Sequence, residues 1–146
     1  AGLVSGLALC YHNNYKFKKA EEIYNEGIAY CKKENLTKTV IYPSLYANLA
    51  LLYSDMFYQT RALDAYEKAG EIYKINKDTL SPEYATYLLN AGTMLANVTQ
   101  FEKALSLLFK AKTLHQQLYG INSAEYATVL NNIGYTYSKM NKIMRK

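Results

Sequence analysis

The chain repeats itself. Displaced by 42 residues it overlays on itself: Tyr84-Ala85-Thr86 recurs as Tyr126-Ala127-Thr128, and Ser81-Pro82-Glu83-Tyr84 as Ser123-Ala124-Glu125-Tyr126. Asn48-Leu49-Ala50 returns as Asn90-Ala91-Gly92 and again as Asn132-Ile133-Gly134. Ala20, Ala62 and Ala104 form a further series, as do Gly27, Ala69 and Ala111, and Tyr11, Tyr53, Leu95 and Tyr137. A period of this length belongs to stacked supersecondary units, none of which can bury its apolar face alone.

Within one unit the apolar residues carry a helical period. Leu45, Leu49, Leu52, Tyr53 and Met56 follow the i, i+4, i+7, i+8, i+11 pattern of an amphipathic helix. After a break at Tyr58-Gln59-Thr60, the set Ala62, Leu63, Tyr66, Ala69, Ile72 and Tyr73 gives a second stripe. Small residues stand where the two stripes should meet: Ala8/Ala20/Gly27, Ala50/Ala62/Ala69 and Gly92/Ala104/Ala111. With little bulk there, a neighbouring helix can seat its large side chains closely, which is how antiparallel helices interdigitate. Ser81-Pro82 reads as an N-cap with proline at the first helical position, and Ser123 as a second N-cap. Gly120 reads as a helix stop, and Pro43 falls near another helix start. The fold class is all-α.

This small–large spacing resembles the tetratricopeptide repeat (TPR). It runs Leu7-Ala8, Tyr11, Ala20, Tyr24, Gly27; then Leu49-Ala50, Tyr53, Ala62, Tyr66, Ala69; then Ala91-Gly92, Leu95, Ala104, Leu108, Ala111. The usual period of that family is 34 residues, and eight more amount to about two helical turns shared within a pair. The 42-residue form is similar to the repeats of kinesin light chains. The run from Tyr126 to Tyr137 resembles that family's ATxLNNLAxLY helix, and Leu118 to Ser123 its linker. The resemblance implies an α-solenoid, a right-handed superhelix of antiparallel helix pairs. Its repeats are expected at about 1–38, 41–78 and 81–120, with the first helix of a fourth at about 123–146. Residues 1–11 read as the middle of a helix, and the chain stops at residues 140–146 just as a new helix should begin, so both ends are expected to be cuts from a longer protein.

In the family the first helix of each pair lines the inner, concave surface. Beside the core stripe of those helices lies a second one: Ser44, Asn48, Leu51, Asp55; Thr86, Asn90, Thr93, Asn97; Thr128, Asn132, Tyr135, Lys139, with Gly2, Gly6, Leu9 and Asn13 in the first unit. An Asn side chain both donates and accepts, so a ladder of them can bond the main chain of an extended peptide whatever its side chains. The resemblance implies that role for Asn48, Asn90, Asn131 and Asn132, with Leu51, Leu89, Thr93 and Tyr135 forming pockets beside them. The other reading is that these Asn residues bond between adjacent helices and set the superhelical pitch. A Lys/Arg cluster for a C-terminal carboxylate is missing from this face, where Lys139 stands alone.

Composition narrows the remaining classes. Seventeen Lys and Arg against 12 Asp and Glu leave a net charge of +5, but Lys16, Lys18 and Lys19 run into Glu21-Glu22, and Lys74 and Lys77 into Asp78. A nucleic-acid partner is not expected without a basic stripe. No apolar stretch reaches the roughly 18 residues of a membrane span, and no secretory signal is visible. Cys10 and Cys31 lack disulfide or metal spacing and read as small apolar residues of a reducing compartment. The triplets Asn35-Leu36-Thr37 and Asn97-Val98-Thr99 carry no weight there. Most of the 16 tyrosines, among them Tyr11, Tyr24, Tyr53, Tyr66 and Tyr137, fall on core series and read as packing rather than base stacking.

No enzyme is expected. His12 and His115 belong to different units, no Gly-rich phosphate loop exists, and neither a metal nor a cofactor is implied. The expected partner is a protein or peptide bound by a cytoplasmic scaffold or adaptor, with self-association through uncapped ends at Leu130, Ile133 and Tyr137. Two alternatives stand beside it: a structural subunit of a cytoskeletal or ciliary assembly docked by its outer faces, and a bacterial regulator that senses a peptide.

Overall fold

The computed structural model describes residues 2–145, with side chains from Ser5 onward. Seven α-helices and no strand occur among them: α1 Gly2–Asn13, α2 Phe17–Lys33, α3 Ile41–Asp55, α4 Gln59–Ile75, α5 Pro82–Asn97, α6 Phe101–Tyr119 and α7 Ala124–Met144. The chain forms two compact units that divide between Thr79 and Leu80. In the first, α1 packs on α2, α2 on α3 and α3 on α4, and α1 also touches α3; in the second, α5 packs on α6, α6 on α7, and α5 on α7. First helices of successive pairs therefore meet directly inside each unit. The all-α helical-repeat fold read from the period is the fold observed.

The helix starts follow the caps. The Ser81 hydroxyl accepts from the Tyr84 N–H at 3.1 Å, with Pro82 entering the helix behind it. Ser123 does the same for Tyr126 at 3.1 Å, and each bond satisfies one of the four free N–H groups of a helix start. Gly120 ends α6 at φ +81°, a conformation open to glycine without steric cost. Pro43 sits three residues into α3, where its missing N–H has no intrahelical partner to lose.

The other turns repeat a backbone device that the sequence does not advertise. Tyr15, Phe57 and Thr99 have φ of 61°, 63° and 63°, and Asn35 and Lys77 have 57° and 55°. Each is followed by an N–H that reaches back five residues: Lys16 to Tyr11 at 2.9 Å, Tyr58 to Tyr53 at 2.8 Å, Gln100 to Leu95 at 2.9 Å, Leu36 to Cys31 at 2.8 Å and Asp78 to Tyr73 at 3.0 Å. This is the Schellman closure, which usually places glycine at the left-handed position. Here none of the five positions holds glycine, and three of them hold two aromatics and a β-branched residue. The break after α3 accordingly lies at Met56–Tyr58, slightly before the expected Tyr58–Thr60.

The small–large code sets the packing. In the first unit Ala8, Ala20, Tyr24, Cys31, Leu45 and Leu52 are wholly buried, and burial pushes the Cys31 thiol pKa up. In the second unit Leu108 is wholly buried between Ala104 and Ala111. A Cβ on Gly92 would stand 2.8 Å from Leu108 Cγ and 3.3 Å from the Ala104 carbonyl oxygen, so α5 admits α6 only because Gly92 has none. A cation at the start of each second helix of the first unit lies over tyrosine at the end of the first: Lys19 over Tyr11 at 5.8 Å, and Arg61 over Tyr53 at 5.8 Å and Tyr58 at 5.1 Å.

Three expectations are corrected. Cys10 is exposed, because its place on α1 faces away from α2 and α3. Tyr137, read as a core tyrosine, is exposed (40%), and Ile133, expected at a self-associating surface, is buried at 8%, while Leu130 is exposed (42%) as such a surface needs. The last helix, α7, runs from Ala124 to Met144.

Candidate functional site

The expected groove residues fall into two sets. In the first unit Asn48 and Leu51 lie half-buried on α3. In the second, Leu89, Asn90 and Thr93 lie half-buried on α5 and Asn132 half-buried on α7, where Asn131 and Tyr135 are exposed. Four of these, Thr93, Asn131, Asn132 and Tyr135, line one open cavity of about 810 Å³, joined by Asn97, Leu130, Gly134 and Ser138. Leu89 and Asn90 are not among its lining residues. The lining is half polar and lacks any cluster of His, Cys, Asp and Glu that could hold a metal ion; none occurs among the described residues.

A hydrogen-bonded seam joins α5 to α7 along the floor of this cavity. The Asn132 amide donates to Thr93 Oγ1 at 3.0 Å, and the Thr93 hydroxyl donates to the Leu89 carbonyl at 2.8 Å. Lys139 Nζ reaches the Asn97 carbonyl at 3.4 Å and lies 6.0 Å from the Tyr135 ring centre. Asn132 thus spends one donor on holding two first helices together. Asn90 and Asn131 make no side-chain hydrogen bond among the described residues, and Asn131 is exposed. The two readings of the ladder are therefore divided among its members: Asn132 serves the packing, while Asn48, Asn90 and Asn131 keep their amides available.

The first unit contains a second cavity, of about 590 Å³, lined by His12, Asn13, Tyr15, Phe17, Asp55 and Phe57. His12, only 6% exposed, meets Asp55 with Nε2 to Oδ2 at 2.6 Å. A carboxylate only accepts, so Nε2 carries the proton; the other ring nitrogen, Nδ1, is buried without a hydrogen-bond partner among the described residues. No Ser, Thr or Cys is bonded there to act as a nucleophile. The pair joins residues 43 apart, which is why the sequence alone does not reveal it. A signal was present: Tyr15, Phe57 and Thr99 stand at intervals of 42 residues, and Asn13 and Asp55 end the inner stripe of their helices.

No helix among the described residues is long and apolar enough to cross a membrane. No sequence-family model matches the chain, and no curated protein matches it by sequence. Solved structures do. BtubC (BKLC) from P. vanneervenii aligns with a TM-score of 0.82 at 28% identity over 94% of this chain. A Podosopora anserina protein with nearly identical TPR-like repeats of the kinesin light chain kind gives 0.72 at 14% identity over 97%. A point variant of that protein gives 0.74. The chain spans about half of BtubC, 54% of its length, and 67% of the Podosopora chain. The chain carries TPR-like repeats of the kind these proteins contain, a fold that generally serves as a protein-interaction scaffold.

Proposed function

We propose that this TPR-like repeat chain is a protein-interaction scaffold that holds an extended segment of a partner on the inner stripe of the first helices within a unit, α5 and α7 above all. The observation that supports it is the open cavity between α5 and α7, where Asn131 and Tyr135 are exposed beside the Asn132–Thr93 bond. Asn131 offers two N–H donors and a carbonyl to a partner's main chain, and Tyr135 offers a ring and a hydroxyl to a side chain. Asn90 and Asn48 occupy the same register on α5 and α3 as Asn132 on α7 and present the same chemistry. Binding by main-chain bonds, with shallow pockets for side chains, suits a scaffold that reads an extended segment. Neither metal nor cofactor takes part, and the proposed activity is non-enzymatic.

The test is selection of binders from a library of unstructured peptides, followed by affinity measurements on three variants. Asn131→Ala and the Asn90→Ala/Asn131→Ala double variant should keep the helical content and stability of the parent and weaken the selected peptides about fivefold and about thirtyfold, at roughly 1 kcal/mol for each amide removed. Asn132→Ala should lose stability as well. Equal peptide affinity for the parent and a folded double variant would refute the groove and favour docking by the outer faces.

A further inference from the structure

The cavity of the first unit combines three features that its packing does not require. Tyr15 and Phe57 are 82% and 88% exposed, so neither contributes a buried ring to the core. Both hold the left-handed backbone position of a Schellman turn, where glycine would be unstrained and a large side chain is disfavoured. Between them stands Asp55, its carboxylate held by the buried His12 through one oxygen while the side chain remains half exposed. The second oxygen has no hydrogen bond among the described residues. Phe17 closes the floor, edge-on to His12 at 5.8 Å and to Tyr15 at 5.9 Å.

A fixed carboxylate framed by aromatic rings is a receptor for a cation. The negative ring faces attract it, the free oxygen takes its N–H, and a planar guanidinium can satisfy both at once. The chain already uses this chemistry one turn away, where Lys19 lies over Tyr11 and Arg61 over Tyr53 and Tyr58. Among the described residues no cation of the chain lies over Tyr15, Phe17 or Phe57. Lys16 and Lys18 are close in sequence but exposed, and neither forms an ion pair with Asp55 among the described residues. The left-handed turn itself recurs at Asn35, Lys77 and Thr99, so what the packing leaves unused here is the pair of large exposed rings and not the turn.

We infer that the cleft formed by Asp55, Phe57, Tyr15 and Phe17 is a binding site for an arginine side chain of a protein partner. It rests on the reading that the ends of the inner stripes face a partner, and adds to it the chemistry of one anchor residue. The ring of Phe57 stacks on the guanidinium plane, Asp55 bonds its edge, and His12 positions Asp55.

The probe is Nα-acetyl-arginine amide, titrated into the ¹⁵N-labelled full chain, with the isosteric but uncharged Nα-acetyl-citrulline amide beside it. Saturable shifts of the Asn13, Tyr15, Asp55 and Phe57 amides are expected with arginine, and about fivefold or more weaker binding with citrulline. Asp55→Asn should remove that discrimination. Because Asp55→Asn also breaks the His12 pair and could unfold α1, Phe57→Gly is the second variant: it relieves the positive φ, so it should melt no lower than the parent, yet bind arginine about threefold or more weakly. Equal response to the two probes, absence of saturable shifts, or unchanged arginine binding by Phe57→Gly would overturn the assignment. The Asn90→Ala/Asn131→Ala variant should bind the arginine probe like the parent, so loss of the peptide groove and loss of this anchor are read separately.

Discussion

Gly92 and Gly134 occupy the same register of successive first helices, and the structure assigns opposite outcomes to the same substitution at each. At Gly92 an added Cβ would lie 2.8 Å from Leu108 Cγ and 3.0 Å from its Cδ2, with the Ala104 carbonyl oxygen at 3.3 Å. Carbon atoms prefer about 3.5–4.0 Å, so Leu108 would have to retreat by most of an ångström. It is wholly buried and flanked by its own helix, so α6 itself must shift. Overpacking of this kind costs about 1–3 kcal/mol, while exchange of a helical glycine for alanine returns about 0.5–1 kcal/mol. Gly92→Ala should therefore destabilise by about 1–2 kcal/mol. At Gly134 nothing lies within 4 Å of the added atom, and the propensity gain of about 0.5–1 kcal/mol stands alone. The assay is urea unfolding followed by helical circular dichroism, read as midpoints at constant slope. Thermal midpoints should move in parallel, down by about 3–6 °C for Gly92→Ala and up by about 2–3 °C for Gly134→Ala. Two shifts of the same sign would refute the claim that Gly92 is a socket for Leu108 and that the matching place on α7 is open.

Three other outcomes are expected. The Tyr24 hydroxyl is buried without a partner, and burial pushes its pKa up to about 12; its folded-state value exceeds the unfolded one near 10, so stability is fully present below pH 10 and declines between pH 10 and 12. Tyr24→Phe should shrink that decline and gain about 1 kcal/mol at pH 8, and a loss at pH 8 in urea midpoints would contradict it; Tyr53, raised to about 12 first by burial and then by its bond to Glu21, leaves a residual decline. Thr99→Gly, which relieves a β-branched residue at φ 63°, should raise the urea-unfolding free energy by roughly 1 kcal/mol, and a lower value would show that the threonine side chain supports the turn. Leu130 and Tyr137, both exposed on α7, should mediate self-association: Leu130→Glu/Tyr137→Glu is expected to lower the apparent mass in sedimentation at high protein concentration, and an unchanged profile would remove that surface from consideration.

Much of the fold was legible because its signals are local. A helical stripe depends on residues three and four apart, and the caps at Ser81, Ser123 and Gly120 depend on residues one turn away. The 42-residue period then says which helices resemble which, and the recurrent Ala and Gly positions say where a neighbour approaches. Such features can be read before anything is packed. The candidate site was legible only as a stripe. That Asn132 is committed to Thr93 while Asn131 is not depends on how α5 lies against α7, a contact across 39 residues.

Register alone could not have separated those two adjacent asparagines, nor joined His12 to Asp55 across 43 residues. It also could not reveal that Tyr15 and Phe57 adopt a backbone conformation their side chains disfavour, because there tertiary packing of the following helix overrides local preference. The sequence by itself determined the repeat, the helix pairs and the sockets that let them close. The tertiary structure decided which polar groups were consumed in closing them and which were left for a partner, since a hydrogen bond's partner is set by where helices meet and not by the spacing of residues along one of them.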